Sequence, residues 1–132
     1  MKPLFENVDC VSFTVDSLEK GLAFYRNSLG LKLLWKKDKS CGLGMENDIT
    51  EVVLVEADNP MVDIKVESVE DALIAFRDAG GTVLSGPFDI DIGKCAVVRD
   101  PFGNTYCILD QSSGTYDVDE NGNAVGVSHK NA

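Results

Sequence analysis

Histidine is almost absent from this 132-residue chain: the one imidazole is His129, three residues from the C-terminus. A multi-histidine metal site within one chain is thereby excluded. So is a Ser-His or Cys-His couple, unless the tail folds back into a cleft. Basic residues are scarce as well: 12 Lys+Arg face 22 Asp+Glu, for a formal net charge of −10. Nucleic-acid binding needs a basic footprint to displace counterions from phosphates, so nucleic acid is not the expected partner. Long apolar runs are missing too. Val52 to Val55 is strand-sized, against the roughly 20 residues of a membrane-spanning helix, and no membrane association is expected. Met1 to Asn7 lacks the apolar core of a secretory signal. Cys10, Cys41, Cys95 and Cys107 include no C-x-x-C pair, which excludes a zinc-ribbon pattern. These absences together point to a cytoplasmic protein with reduced thiols.

What is present is an internal repeat. With a shift of 51 residues, Val15 to Gly30 falls on Val66 to Gly81. The identities are Val15/Val66, Ser17/Ser68, Glu19/Glu70, Leu22/Leu73, Arg26/Arg77 and Gly30/Gly81. A shift of 54 lays Val52-Val-Leu-Val-Glu56 on Tyr106-Cys-Ile-Leu-Asp110. The chain reads as one domain of two modules, 5–57 and 61–111, meeting near Asp58-Asn59-Pro60, with a C-terminal extension over 112–132.

Each module reads as strand, helix, then three strands, an α+β arrangement. Val11, Phe13 and Val15 alternate with Cys10, Ser12 and Thr14, the period of a strand with two different faces. Asp16 or Ser17 is placed to cap the next helix, with Glu19 in its first turn. Leu18, Leu22, Tyr25 and Leu29 form its apolar stripe, and Gly30 stops it. Leu31 to Trp35 is the next strand. Module two repeats the pattern with Val69, Leu73, Phe76 and Gly80-Gly81, then Thr82 to Leu84. It closes with a hairpin, Cys95 to Arg99 and Thr105 to Asp110, around Asp100-Pro101-Phe102-Gly103-Asn104.

The strand phases sort residues by face. Val11, Phe13, Val15, Val52 and Leu54 in module one, and Val62, Ile64, Val66, Tyr106 and Ile108 in module two, face the helices. Cys10, Ser12, Thr14, Glu51, Val53, Met61, Asp63, Lys65, Cys107 and Leu109 face away. That mixed outer face fits either a small-ligand pocket or a solvent-facing sheet surface.

The opening run Val11-Ser-Phe-Thr-Val-Asp-Ser-Leu-Glu-Lys-Gly-Leu-Ala-Phe-Tyr-Arg-Asn-Ser-Leu-Gly-Leu31 and the closing Asp100-Pro-Phe-Gly-Asn-Thr-Tyr-Cys-Ile-Leu109 resemble the vicinal oxygen chelate superfamily. Its members include glyoxalase I, extradiol dioxygenases, fosfomycin-resistance enzymes and bleomycin-resistance proteins. The match covers roughly residues 5 to 111, and motif, order and repeat agree. The resemblance implies paired βαβββ modules in a curled mixed sheet around a cleft, and commonly a homodimer. Metal-dependent members place His and Glu ligands on the first and last strands of each module. Carried over, those positions are Cys10, Val53, Met61 and Cys107, and none is His or Glu. A glyoxalase or dioxygenase metal centre is therefore not expected, nor any other cofactor. Sulfur at three of the four positions suits a soft metal such as Cu(I), but plain hydrophobic packing is the ordinary role of buried Cys and Met.

The candidate ligand-binding residues are Cys10, Ser12, Thr14, Trp35, Val53, Met61, Asp63, Lys65, Cys95 and Cys107. Cys95 is expected diagonally across the closing hairpin from Cys107. Cys41, 54 residues before Cys95, is expected to border the same cleft. Asp63, Lys65 and Glu51 are the candidate acid/base groups, with a solvated Asp63–Lys65 salt bridge as the plain alternative. Trp35, Phe88 and Phe102 are candidates for ligand stacking, or for ordinary packing. Arg99 precedes the closing turn, where it could hold an anion or lie on the surface. In the tail, Asp117-Val-Asp-Glu-Asn-Gly122 partly mimics a calcium loop, but Ser128 stands where that loop needs Glu, and Asn121-Gly122 reads better as a hairpin turn.

The function expected is metal-independent binding or sequestration of a small organic ligand, as in the bleomycin-resistance branch, with the ligand between the modules. The acidic balance favours a cation. The alternative is a glyoxalase-like lyase or isomerase working through the cleft acid/base groups.

Overall fold

Two serines and two carboxylates start the two helices, and the rest of each module follows from them. In the computed structural model, which describes residues 1–56 and 60–129, Ser17 accepts a hydrogen bond from the Lys20 amide at 3.1 Å and Ser68 one from the Asp71 amide at 3.3 Å. Such caps satisfy amides that have no partner inside the helix. The amide of the first helical residue is met in each module by an acid at or just past the end of the last strand. Leu18 N–H donates to Glu56 at 2.8 Å, and Val69 N–H donates to Asp110 at 2.9 Å. Glu56 and Asp110 are repeat equivalents, as are Leu18 and Val69.

Module one comprises β1 (Asn7–Val15), α1 (Leu18–Leu22), a π-helical continuation (Ala23–Ser28), β2 (Lys32–Lys36), β3 (Ser40–Gly44) and β4 (Glu51–Glu56). Its strands lie in the order β2-β3-β4-β1, with β1 parallel to β4 and the other pairs antiparallel. Module two comprises β5 (Val62–Lys65), α2 (Val69–Asp78), β6 (Thr82–Ile90), β7 (Gly93–Arg99) and β8 (Thr105–Leu109). Its order is β5-β8-β7-β6, with β5 parallel to β8. The fold is thus α+β, with a βαβββ unit in each half. The chain forms two compact units. One holds Asp9–Val62 with Tyr116–Gly126; the other holds Met1–Val8, Asp63–Thr115 and the residues from Val127. The junction expected at Asp58-Asn59 lies outside the described residues. Among those described, no helix is long and apolar enough to cross a membrane.

Each helix packs on one face of its own sheet. Leu18 and Leu22 bury against Cys41, Leu43 and Leu54, flanked by Val15, Tyr25, Leu33 and Val52. In module two, Val69, Ala72, Leu73 and Phe76 bury against Val66, Ala96, Val98 and Ile108. Each fully buried leucine, such as Leu43 or Leu54, contributes about 1.5–3 kcal/mol.

The helix stripe of module one is shorter than expected. Leu29 N–H bonds to the Phe24 carbonyl five residues back, at 3.0 Å. An i→i+5 turn holds about one residue more than an α-turn, so the seven-residue spacing from Leu22 no longer returns to the core. Leu29 is 55% exposed and Phe24 equally so, while Tyr25 stays inward, its ring stacked on Phe13 at 6.0 Å. Gly30 and Gly80 end the two helices at φ +83° and +104°, a backbone region that side chains with a Cβ avoid.

The tail forms the hairpin that Asn121-Gly122 suggested, β9 (Thr115–Val118) and β10 (Ala124–Ser128). Asp119 accepts bonds from the amides of Asn121 and Asn123 at 2.9 and 3.0 Å, so the calcium-like stretch is an Asx turn with its carboxylate already engaged. The closing turn of module two is built alike: Asp100 accepts from the amides of Phe102 and Asn104, each at 2.9 Å.

Candidate functional site

The outer face of module one gathers several of the candidate residues. β1 and β4 pair with Cys10 opposite Glu51 and Ser12 opposite Val53. Val52 and Leu54 point into the helix-side core, which leaves Glu51 and Val53 on the other face of the sheet. Cys10 and Val53 are buried there, Ser12 is half-buried, and Thr14 is exposed. Ser12 N–H donates to the Met61 carbonyl at 3.1 Å.

Trp35 reaches the same face because β2 is irregular. Leu33 pairs with Leu43, yet Trp35 pairs with Gly42, so one extra residue enters between them. That bulge reverses the alternation. Leu33 packs in the core, and Trp35 crosses Gly42 to donate its indole N–H to Glu51 Oε1 at 2.6 Å. A Cβ at residue 42 would overlap both the indole nitrogen and the Glu51 carboxylate, so glycine is what lets the two meet. Burial raises the Glu51 pKa; the Trp35 hydrogen bond pulls the other way, and the charge of Asp9 pushes up again. The result is a carboxyl with unusually high proton affinity against an aromatic ring.

Tyr116 of the tail, which sequence reasoning missed, completes this cluster. Its ring lies 5.1 Å from that of Trp35, and Lys37 Nζ sits 5.6 Å above its centre. Asn123 forms a bridge to Lys36, and Leu33 lies close beside Gly122. The hairpin thus packs along β2, the edge strand of this module. Tyr116 lies in the extension beyond the repeat, and Gly42 stands out only once the β2–β3 register is known.

Module two places Asp63, Cys95 and Cys107 together. Asp63 is opposite Cys107 on the parallel β5–β8 pair. Cys95 and Cys107 sit diagonally across β7–β8, since Cys95 faces Leu109 and Val97 faces Cys107. The hydrogen bond from Cys107 holds the Cys95 thiol below its ordinary value despite burial. Its own bond to Cys95, burial and the neighbouring Asp63 push Cys107 far up. Lys65 pairs with Glu6. Phe102 is 88% exposed at the closing turn, Phe88 is exposed on β6, and Arg99 is exposed at the end of β7.

Cys41 is not where the repeat put it. It is fully buried on the helix side, opposite Leu54, whose repeat equivalent Ile108 faces Ala96. Module one is therefore one residue out of step with the 54-residue shift at β3. A one-residue slip turns a side chain to the opposite face.

The metal positions implied by the resemblance fail on donor chemistry. Val53 has no donor atom, and Cys10, Met61 and Cys107 are not the His or Glu that the metal-dependent members use. Among the described residues, no group of three His, Cys, Asp or Glu side chains is placed to hold an ion. These residues do not fit the His/Glu centre of the metal-dependent members.

The sequence model of the Glyoxalase/Bleomycin resistance protein/Dioxygenase superfamily matches residues 7–108, and the chain belongs to this superfamily. Among solved structures, methylmalonyl-CoA epimerase from Mycobacterium tuberculosis is similar with a TM-score of 0.70 at 12% identity, over 85% of this chain and 92% of that one. A variant of homoprotocatechuate 2,3-dioxygenase from B. fuscum is similar with a TM-score of 0.58 at 20% identity, over 83% of this chain. The match spans 33% of the dioxygenase chain. The same enzyme in complex with 3,4-dihydroxyphenylacetate gives 0.59 at 19% identity, over 83% of this chain and 37% of that one. At these identities the likeness is one of fold. No curated protein matches the chain.

Proposed function

We propose that this chain is a metal-independent small-molecule binding protein of the bleomycin-resistance type, taking an organic cation on the outer face of module one. The observation that carries this reading is the Trp35–Glu51 pair, bonded at 2.6 Å over Gly42. An indole wall attracts a cation through its ring face, and an adjacent carboxylate supplies the counter-charge. The net charge of −10 draws cations from a distance. The same reading places the protein in the cytosol, as a homodimer, with its thiols reduced. A second reading, a glyoxalase-like lyase or isomerase, is favoured by the raised proton affinity of Glu51, the direction in which burial tunes a carboxylate toward proton abstraction.

Metal independence is checked by elemental analysis of purified protein, together with a thermal-shift screen against cationic drugs and metabolites in the presence of a chelator. The expected result is substoichiometric Zn, Ni, Mn and Fe with ligand-induced stabilisation retained. Stoichiometric metal, or stabilisation that vanishes with the chelator, would overturn the proposal. Turnover that is lost in Glu51→Gln would select the enzyme reading instead.

A further inference from the structure

A cavity of about 580 Å³ opens at the far end of the β2–β3 ladder from Gly42, a volume that suits a small organic ligand. Gly44 lies at its floor. On that ladder Leu33 pairs with Leu43, and both pack in the helix-side core. Gly44, like Gly42, therefore belongs to the outer face, the face of Trp35 and Glu51. Leu34 is the extra residue of the β2 bulge. Its two methyls lie over Gly44, where an added Cβ would come within 3.3 Å of each. Met45 and Ile49, from the connection between β3 and β4, complete the apolar wall. All three side chains stay open to solvent: Leu34 is 39% exposed, Met45 41% and Ile49 77%. Apolar side chains left unshielded around a concavity mark a place where a ligand displaces water. Lys32, Glu46 and Asp48 also border the cavity, all of them solvent-exposed, and Asp48 Oδ1 already accepts the Thr50 amide at 3.0 Å. With both signs of charge at its edge, what the cavity takes is set by the apolar wall. Every residue named belongs to one compact unit.

We propose that the cation seated at Trp35–Glu51 is an amphiphile, an alkylammonium whose aliphatic tail runs past Leu34 into this cavity and lies between Met45 and Ile49. This rests on the binding reading above and names its ligand class. Leu34 directly precedes Trp35, and Ile49 stands two residues before Glu51, so both sides of the cation seat continue into the cavity wall. Gly42 beneath the indole and Gly44 beneath Leu34 are two residues apart on one strand, about 7 Å, or roughly five or six methylenes. A shorter tail ends before the cavity. Each methylene beyond that length is buried against aliphatic side chains and should tighten binding by about two- to fourfold.

The test titrates alkyltrimethylammonium ions, from tetramethyl to decyltrimethyl, into the full-length chain with chelator present. Each is kept below its micellar concentration, and Trp35 emission is the readout. The expected result is a nearly constant affinity through the butyl member, then a gain of about two- to fourfold per methylene from hexyl to decyl. Ile49→Ser should cut the ratio of decyl to methyl affinity by at least about threefold, and Ile49→Leu should restore it. Ile49 is far enough exposed for these changes to spare the core. No gain with length, a gain that starts at the first methylene, or an undiminished ratio in Ile49→Ser would overturn the tail site and leave the cation seat standing. No saturable response to any member would overturn both.

Discussion

Glu51 sits where opposing effects meet. Burial and Asp9 favour its neutral form, while the Trp35 indole favours the ionised one, and the net direction is up. A carboxyl with a raised folded-state pKa binds its proton more tightly in the native protein than in the unfolded chain. Native stability therefore falls as pH rises through the window that opens at the ordinary value of 4.5, and the deficit persists at neutral pH. Glu51→Gln should lose less stability between pH 4 and 7.5 than the wild type, read as the shift of the urea midpoint. Asp110 runs the opposite way. Burial pushes its pKa up, but bonds from the Val69 amide, the Ser112 hydroxyl and the Lys94 amide outweigh that and hold it low. Its contribution is full above the ordinary carboxylate value and is lost as pH falls through the folded one. Asp110→Ala leaves the Val69 and Lys94 amides without their acceptor and should cost about 2–4 kcal/mol in equilibrium unfolding. Neither residue announced this difference in the sequence. Glu51 opens the last strand of module one and Asp110 directly follows that of module two, and only the neighbours brought in by folding separate a desolvated carboxyl from a helix cap.

At the scale of elements, most of the fold was legible because the local signals agreed: serine caps, alternating strands, helix-stopping glycines and turn sequences recurred in order. The failures share a cause, one residue inserted where the period assumed none. The π-turn after α1 moved Leu29 outward and the slip at β3 sent Cys41 inward, while the bulge in β2 sets the face on which Trp35 lies. Periodicity carries face assignments only while the count is unbroken. The tail hairpin is the other element whose role depended on the structure. By packing Tyr116 on Trp35 it covers one side of the Trp35–Glu51 pair. Tyr116→Ala should cost about 1 kcal/mol, the usual worth of an aromatic pair. It should also shift Trp35 emission to the red and lower the pH at which Glu51 protonation perturbs that emission. Unchanged emission and midpoint would mean that the hairpin merely lies alongside.

For the whole molecule, the near-absence of histidine becomes a positional statement. The positions at which the resemblance sets metal ligands read Cys10, Val53, Met61 and Cys107, with Trp35–Glu51 beside them in one module and Asp63 and Cys95 beside Cys107 in the other. The superfamily was readable from 132 residues, because fold is spread over the whole repeat. The ligand was not, because it is set by a few side chains whose meeting depends on bulges and register. The most direct measurement uses the chain's single tryptophan, Trp35, as the reporter. Titrating benzyltrimethylammonium into the wild type and Glu51→Gln, with chelator present, reads binding at the site itself. The proposed function predicts a saturable change in Trp35 fluorescence for the wild type. It also predicts at least about tenfold weaker binding for Glu51→Gln, the range of one lost charged contact. No saturable change in the wild type, or equal affinity in the two proteins, would contradict it.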